Sequence, residues 1–242
     1  MKDLELQELI KNSNRIVAFT GAGISAESGI PTYRGHGGYW TKYDPMKYAS
    51  IDYFFKDPTY YWEFFREVRH DLMITAEPNK GHLALVSLEK QGKLHTVITQ
   101  NIDGLHQKAG SSNVLELHGN THHFYCVSCG DHYSIGDVFE KLKTEMPPRC
   151  AKCETLIRPD VVLFGEMLPQ DVLLESAKAI GDCDLLLSIG SSLQVYPAAD
   201  FPIRAKMRGA KLVIINMDPT PFDSYADIVI NEQAGEVLGF LL

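Results

Sequence analysis

Four of the five cysteines fall in two pairs, Cys126-x-x-Cys129 and Cys150-x-x-Cys153, with twenty residues between the pairs. That is zinc spacing: each pair forms a knuckle, and four thiolates complete a tetrahedron. Four protein ligands leave no open coordination position, so one structural Zn2+ is expected and not a catalytic one. The ion would stabilise a segment too poor in apolar residues to hold together by burial alone. Cys183 stands alone before an apolar run and reads as a small core residue.

The remaining chemistry collects at the ends of apolar runs. The run 16–20 leads into Gly21-Ala-Gly-Ile-Ser-Ala26, the run 97–99 into Gln100-Asn101-Ile102-Asp103, and the run 114–117 into His118-Gly119. Likewise 161–164 leads into Gly165-Glu166, 185–189 into Gly190-Ser191-Ser192, and 212–215 into Asn216-Met217-Asp218. Open parallel sheets bind ligands outside the carboxyl ends of their strands, so six loaded ends imply one crowded cleft. Gly21-x-Gly23-x-x-Ala26 fits the dinucleotide fingerprint, whose glycines let a pyrophosphate approach the backbone. By itself this pattern describes an ordinary strand–helix turn equally well. The acidic residue usual some 20 positions on is badly placed, because Asp44 follows no strand; Asn216 or Asp218 would have to hold the ribose.

Among nine histidines, His118 stands out because it terminates a strand at the loaded edge. An imidazole there can serve as a base near neutral pH, and by position alone packing remains the competing role. His36, His70, His122, His123 and His132 lie in polar stretches and read as solvated, His106 as a cap for the 104–109 turn, and His82 and His95 as ambiguous. The Tyr43-x-x-x-Lys47 spacing of some dehydrogenases encloses Pro45, which leaves Tyr43 outside any helix presenting Lys47, so it is treated as accidental.

The elements that must position these groups alternate. Strands are expected at 16–20, 94–99, 114–117, 161–164, 184–189, 212–215 and 228–230. Helical patterns occupy 82–90, 170–180, 198–207 and 235–240, and Leu6, Leu9 and Ile10 mark a first helix. Short apolar strands alternating with helices predict an α/β fold, a Rossmann-like parallel sheet with helices on both faces. Residues 34–81, rich in aromatics and helical by the spacing of Tyr61, Phe65, Val68 and Leu72, break the rhythm, as does the cysteine-bearing segment 119–157. Both read as insertions that together form a smaller lobe.

With 242 residues, 45% of them hydrophobic and 22% charged, the protein has globular composition. Its 23 basic and 31 acidic residues give a net charge of −8, which disfavours sequence-independent nucleic-acid binding. No apolar run approaches the roughly 20 residues of a membrane span, and the first ten residues lack the apolar core of a secretion signal. A cytoplasmic protein with reduced thiols is the expectation.

Taken together, residues 21–35 (GAGISAESGIPTYRG), 99–106 (TQNIDGLH), 117–119 (LHG), the cysteine pairs, 161–166 (VVLFGE), 190–199 (GSSLQVYPAA) and 214–216 (IIN) resemble the sirtuins, the NAD-dependent protein lysine deacylases. The resemblance runs in order from about residue 10 to 240. It implies an inverted Rossmann domain made of 1–33, 82–120 and 158–242. It also implies a small domain made of a helical module, 34–81, and a zinc module, 121–157. It implies that Ala22, Ala26, Tyr33, Arg34, Gln100, Gly190, Ser191, Ser192, Asn216, Met217 and Ala234 contact NAD, with Asn101, Ile102 and Asp103 forming the nicotinamide pocket. Asp103 would accept from the carboxamide, and Val162, Leu163 and Phe164 would pair with substrate backbone. The residue at His118, with Asn101, would be catalytic: His118 as the base on the ribose hydroxyls after the acyl oxygen has attacked the nicotinamide-bearing carbon to give an alkylimidate. Products would be free lysine, nicotinamide and O-acetyl-ADP-ribose, and partners acetyl-lysine proteins or peptides, acted on by a monomer.

Two departures from the family pattern bear on function. Tyr33 stands where the family usually has Phe, so altered nicotinamide release is expected. The Tyr-x-x-Arg pair of desuccinylase-type members corresponds here to Phe65 and Val68, although Arg66 and Arg69 flank those positions. A buried acyl carboxylate without a cationic partner is costly, so neutral acyl groups are expected, acetyl first and longer aliphatic ones also. Mono-ADP-ribosyl transfer in the same cleft, a non-catalytic nucleotide-binding module and, last, hydride transfer are the competing readings.

Overall fold

The computed structural model describes residues 2–35, 37–69 and 75–242. Six strands form a wholly parallel sheet: β1 (Ile16–Thr20), β2 (Leu94–Thr99), β3 (Val114–Glu116), β7 (Leu185–Ile189), β8 (Lys211–Ile215) and β9 (Ile228–Ile230), in the order β3-β2-β1-β7-β8-β9. The strand order reverses between β1 and β7, and every residue of those two central strands is buried. Strands covered on both faces are apolar throughout, which is why they were visible in the sequence.

One face buries Leu6 and Ile10 of the helix Lys2–Asn12 and Ala84, Leu85 and Leu88 of the helix Lys80–Lys90 against Ile16, Ala18 and Leu187. The opposite face packs Ile180 of the helix Gln170–Asp182 and Phe201 and Ala205 of the helix Phe201–Met207 on Val17, Phe19 and Leu186. Two hydrophobic layers around one sheet fix where the strand ends point.

A second, antiparallel sheet has the order β5-β4-β6, from β4 (Gly119–Cys126), β5 (His132–Ser134) and β6 (Ile157–Val161). This corrects the expectation of a parallel-sheet strand over 161–164. The strand ends at Val161 in the small sheet, and the segment 162–164 that follows is joined by an isolated bridge from Phe164 to Ser50. The apolar run was read correctly as buried, but burial does not say against which sheet.

One aromatic core spans both insertions. Phe54, Tyr61, Trp62 and Phe65 from the helical segment pack with Phe124, Val138, Phe139, Cys126 and Cys150 from the cysteine segment. Trp62 stacks on Phe124 with centroids 6.0 Å apart, and Phe65 meets Phe124 edge-on at 5.7 Å. Leu72 and His70 lie outside the described residues, as does His36. Asp44 caps the short helix Pro45–Tyr48, which puts Tyr43 outside it as Pro45 requires. Lys47 lies over the ring of Tyr60, 3.8 Å from its centroid, so the Tyr43–Lys47 spacing makes no catalytic pair. Among the described residues no helix is long and apolar enough to cross a membrane.

Candidate active site

A cleft of about 860 Å3 opens at the carboxyl ends of the parallel strands, where the order reverses. The loops after β1 and β7 cross there in backbone contact. Gly23 N–H donates to Gly190 O at 2.8 Å, and Gly190 is held at φ +64°. A Cβ on Gly190 would sit 2.2 Å from Ile24 N, and one on Gly23 would sit 2.6 Å from Gly190 Cα. The glycines are therefore needed first for this crossing, which leaves the turn of Ala22–Ser28 facing the cleft. Gly190→Ala must displace backbone, because no side chain is available to yield. We expect it to lower stability by about 3 kcal/mol or more. A shifted denaturation midpoint measures that loss, and a midpoint within error of the parent would refute the contact.

His118 is half-buried on the cleft wall. Its Nδ1 lies 2.9 Å from Gln100 O; a carbonyl only accepts, so Nδ1 carries the proton and Nε2 presents a lone pair. Burial lowers the imidazole pKa from its ordinary value; the hydrogen bond to Gln100 opposes this, and the nearby Arg34 adds to it. A neutral imidazole with a fixed tautomer is the form a general base requires. Burial also lowers the Arg34 guanidinium pKa, and this residue is the one lysine or arginine among the described residues lining the cleft. A single cation in a cleft edged by backbone turns suits a diphosphate ester.

Deeper in, a connected set of polar groups surrounds Ser25. Asn101 Nδ2 donates to Ser25 Oγ at 3.1 Å, and Ser25 Oγ donates to Asp103 Oδ2 at 2.7 Å. Asp103 Oδ1 accepts from Leu105 N–H at 3.0 Å, while burial pushes the carboxyl up against these two donors. Asn79 N–H donates to His82 Nδ1, so the protonated Nε2 of His82 faces Ser25 Oγ at 3.5 Å. His106 is no exposed turn cap: its ring is buried against His82, and Nε2 bonds Thr20 Oγ1 at 2.9 Å. Burial brings His82 down to about 4 and His106 to about 3, so both are neutral at pH 7. Ser25 and these two imidazoles were missed in the sequence, where a lone serine and scattered histidines carry no spacing signal. His122, taken as solvated, is exposed yet its Nε2 lies 3.3 Å from Asp103 O.

Of the residues singled out from the sequence, Ala22, Ala26, Tyr33, Arg34, Gln100, Asn101, Ile102, His118, Gly190, Ser191, Ser192, Asn216, Met217 and Ala234 line this one cleft, with Val162, Leu163 and Phe164. Asp103 does not line it; it stands behind Asn101 and Ser25. Gln100 Nε2 donates to Ser191 Oγ at 2.8 Å and joins the ends of β2 and β7. The backbone N–H groups of Val162, Leu163 and Phe164 are already taken, by His118 O (2.9 Å), Glu166 Oε2 (2.8 Å) and Ala49 O (2.9 Å).

The cysteine sulfurs lie within 4.8 Å of one another, with Cys126–Cys153 at 3.4 Å and Cys129–Cys150 and Cys129–Cys153 at 3.6 Å. Sulfurs about 2.3 Å from one tetrahedral zinc stand roughly 3.8 Å apart, so the quartet fits that ion closely. Ser128 and Cys129 N–H point at Cys126 Sγ and Lys152 N–H at Cys150 Sγ, donors that favour thiolates.

A Rossmann-ordered sheet, a cleft at its switch point and a neutral imidazole beside a lone guanidinium define a dinucleotide-dependent enzyme with a cysteine-stapled second lobe. The match to the Sir2 family model over residues 21–197 makes the family explicit: the chain belongs to the Sir2 family, the sirtuins. It is 50% identical over 232 residues, 96% of this chain and 91% of the relative, to an NAD-dependent protein deacetylase of Sulfurisphaera tokodaii. A solved Sir2 variant with deacetylated p53 peptide and 3'-O-acetyl ADP ribose superposes with TM-score 0.95 at 44% identity, covering 99% of this chain and 96% of that one. Sir2Tm bound to a propionylated peptide gives TM-score 0.91 at 41% identity, covering 100% and 97%.

Proposed function

We propose that this protein is an NAD-dependent protein lysine deacetylase, releasing free lysine, nicotinamide and O-acetyl-ADP-ribose. The observation that carries the reading is His118, tautomer-fixed and neutral, on the wall of the cleft that also holds Arg34 and the 21–28 turn. When bound, NAD would supply an electrophilic ribose carbon that bonds to the acyl oxygen as the bond to nicotinamide breaks, one water being consumed in freeing the lysine amine. His118 would take a ribose hydroxyl proton at Nε2, and Arg34 and the 21–28 turn would hold the diphosphate. Asn101 orients the carboxamide, with Ser25 and Asp103 holding Asn101 in turn. Positioning and charge stabilisation supply most of the rate. Ala22, Ala26, Tyr33, Gln100, Ile102, Gly190, Ser191, Ser192, Asn216, Met217 and Ala234 complete the NAD site. Residues 34–81 and 121–157 form the small domain on the NAD-binding body 1–33, 82–120 and 158–242.

The acyl-lysine segment binds extended along Val162, Leu163 and Phe164, a backbone-paired mode that tolerates many sequences. Because their N–H groups have internal acceptors, these residues supply side-chain walls. Backbone pairing falls to Gly165 and to Gln194 and Tyr196 across the cleft, whose N–H groups have no partner among the described residues. The protein acts as a monomer in the cytoplasm on acetylated proteins, and its −8 net charge disfavours sequence-independent nucleic-acid binding.

A peptide panel tests this. With NAD, acetyl- and propionyl-lysine peptides should each release one nicotinamide per acyl group lost, and succinyl-lysine should react about 100-fold more slowly. Phe65, at the position that carries the acidic-acyl tyrosine in desuccinylases, is sealed in the aromatic core, and Arg66 is exposed away from the cleft. Among the described residues no lysine or arginine besides Arg34 lines the cleft to pair with a charged acyl group. Comparable succinyl turnover would overturn the acyl assignment, and NAD-independent deacylation would overturn the function.

A further inference from the structure

One ion pair at the cleft wall, between a buried arginine and a half-buried glutamate, has no task in the reaction just described. Arg158 on β6 and Glu166 face each other in a two-pronged pair, Nη1 to Oε1 and Nη2 to Oε2, both 2.8 Å. The same Nη2 donates to Val161 O at 3.0 Å, and the same Oε2 accepts from Leu163 N–H at 2.8 Å. The pair thus braces the arc 158–166 at positions 161, 163 and 166. Arg158 is 8% exposed and lies beside the rings of Tyr125 and Phe54, 5.6 and 6.0 Å from their centroids.

Stability is a weak reason to keep such a pair. Taking Arg158 and most of Glu166 out of water costs about what their attraction returns, and apolar residues of similar volume commonly hold a fold as well. What an apolar pair could not do is fix backbone direction. The fork occupies Val161 C=O and Leu163 N–H, and the turn that follows places Gly165, whose N–H has no partner among the described residues, on the cleft lining. The next residue in the arc, Val162, donates to His118 O, so the braced segment also abuts the base.

We infer that the Arg158–Glu166 fork is a positioning device that holds the peptide-pairing edge at Gly165, and so sets affinity for the acyl-lysine segment. The inference rests on the deacetylase reading. Arg158→Met should raise KM for an acetyl-lysine peptide about tenfold while KM for NAD stays within about twofold. Arg158→Lys keeps the charge without the fork and should raise peptide KM about fivefold. Glu166→Gln keeps an acceptor for Leu163 N–H and should shift it less than Arg158→Met does. Unchanged peptide KM in Arg158→Lys, or a loss confined to Tm and kcat, would overturn the inference. If Arg158→Met does not fold, the Lys and Gln variants decide it by the same ordering. No NAD-dependent turnover by the unaltered protein overturns the deacetylase reading and this one with it, whereas normal turnover with unmoved peptide KM overturns this one alone.

Discussion

His118→Ala should lower kcat/KM for deacetylation by about 10²–10⁴-fold while the protein still folds and binds NAD. Among the described residues the side chain makes one hydrogen bond, Nδ1 to Gln100 O, and belongs to none of the three hydrophobic clusters. Truncating it removes the base and little packing. Its backbone carbonyl, which receives Val162 N–H, is untouched, so the neighbouring wall should stay in place. The pH profile gives a second reading of the same group. Burial and Arg34 hold the imidazole below its ordinary value of about 6.5, so it stays deprotonated, and able to act as a base, to pH values below that. The acid limb of kcat/KM should therefore lie below pH 6.5 and vanish in the alanine variant. The linkage has the same sign: the unfolded imidazole binds its proton more readily than the folded one. This group's disfavouring of the unfolded state is thus complete above pH 6.5 and is lost as pH falls through the lowered value. Initial rates from pH 5 to 9 and calorimetric titration with NAD check these statements. Wild-type turnover by the variant would remove His118 as the base.

The site was legible in the sequence to the extent that its groups sit at strand ends. Strands β1 and β7 are buried on both faces, so they read as unbroken apolar runs, and whatever follows them must be the loop at the sheet edge. That logic found Gly21, Gln100, His118, Gly190 and Asn216 without contacts. It failed where a function depends on which segments meet. Gly23 and Gly190 both invite a phosphate reading, but their closest constraint is the crossing of their two turns, Gly23 meeting Gly190 and Gly190 meeting Ile24 and Gly23, some 167 positions away in the sequence. Ser25, His82, His106 and Arg158 each act through a partner outside their own motif, and one sequence by itself keeps no record of pairing. Strand β4 was missed because its residues Gly119–Cys126 include two histidines, a threonine and an asparagine. Its buried positions, Thr121, Phe124 and Cys126, do not alternate, and the cysteine quartet at its end would hold a zinc in place of the apolar burial by which strands are recognised.

Removing the metal should have the second large effect. A structural zinc site contributes on the order of 10 kcal/mol to the fold that holds it. The four sulfurs do not stand apart from the lobe's core: Cys126 and Cys150 are in the same cluster as Trp62, Phe65 and Phe124. The damage should also reach the cleft through β4. That strand carries Cys126 at one end; near the other, Thr121 N–H and Oγ1 donate to Ile102 O at 3.1 and 2.8 Å, and His122 Nε2 meets Asp103 O. The loop presenting Asn101 and Asp103 is thus suspended from the metal-bearing sheet. Cys150→Ser with Cys153→Ser, or chelation in mild denaturant, should release one zinc per protein molecule and abolish turnover. Both tryptophans lie in the 34–81 segment: Trp62 in the lobe's aromatic core, and Trp40 on the cleft against Tyr33 and Phe164, so intrinsic tryptophan emission reports on this lobe and on the cleft beside it. It should red-shift on metal loss, while far-UV dichroism retains a separate cooperative transition from the parallel sheet, whose two cores contain no residue of the cysteine segment. A metal-free variant with unshifted emission and full turnover would show that the lobe and its cleft stand without the ion.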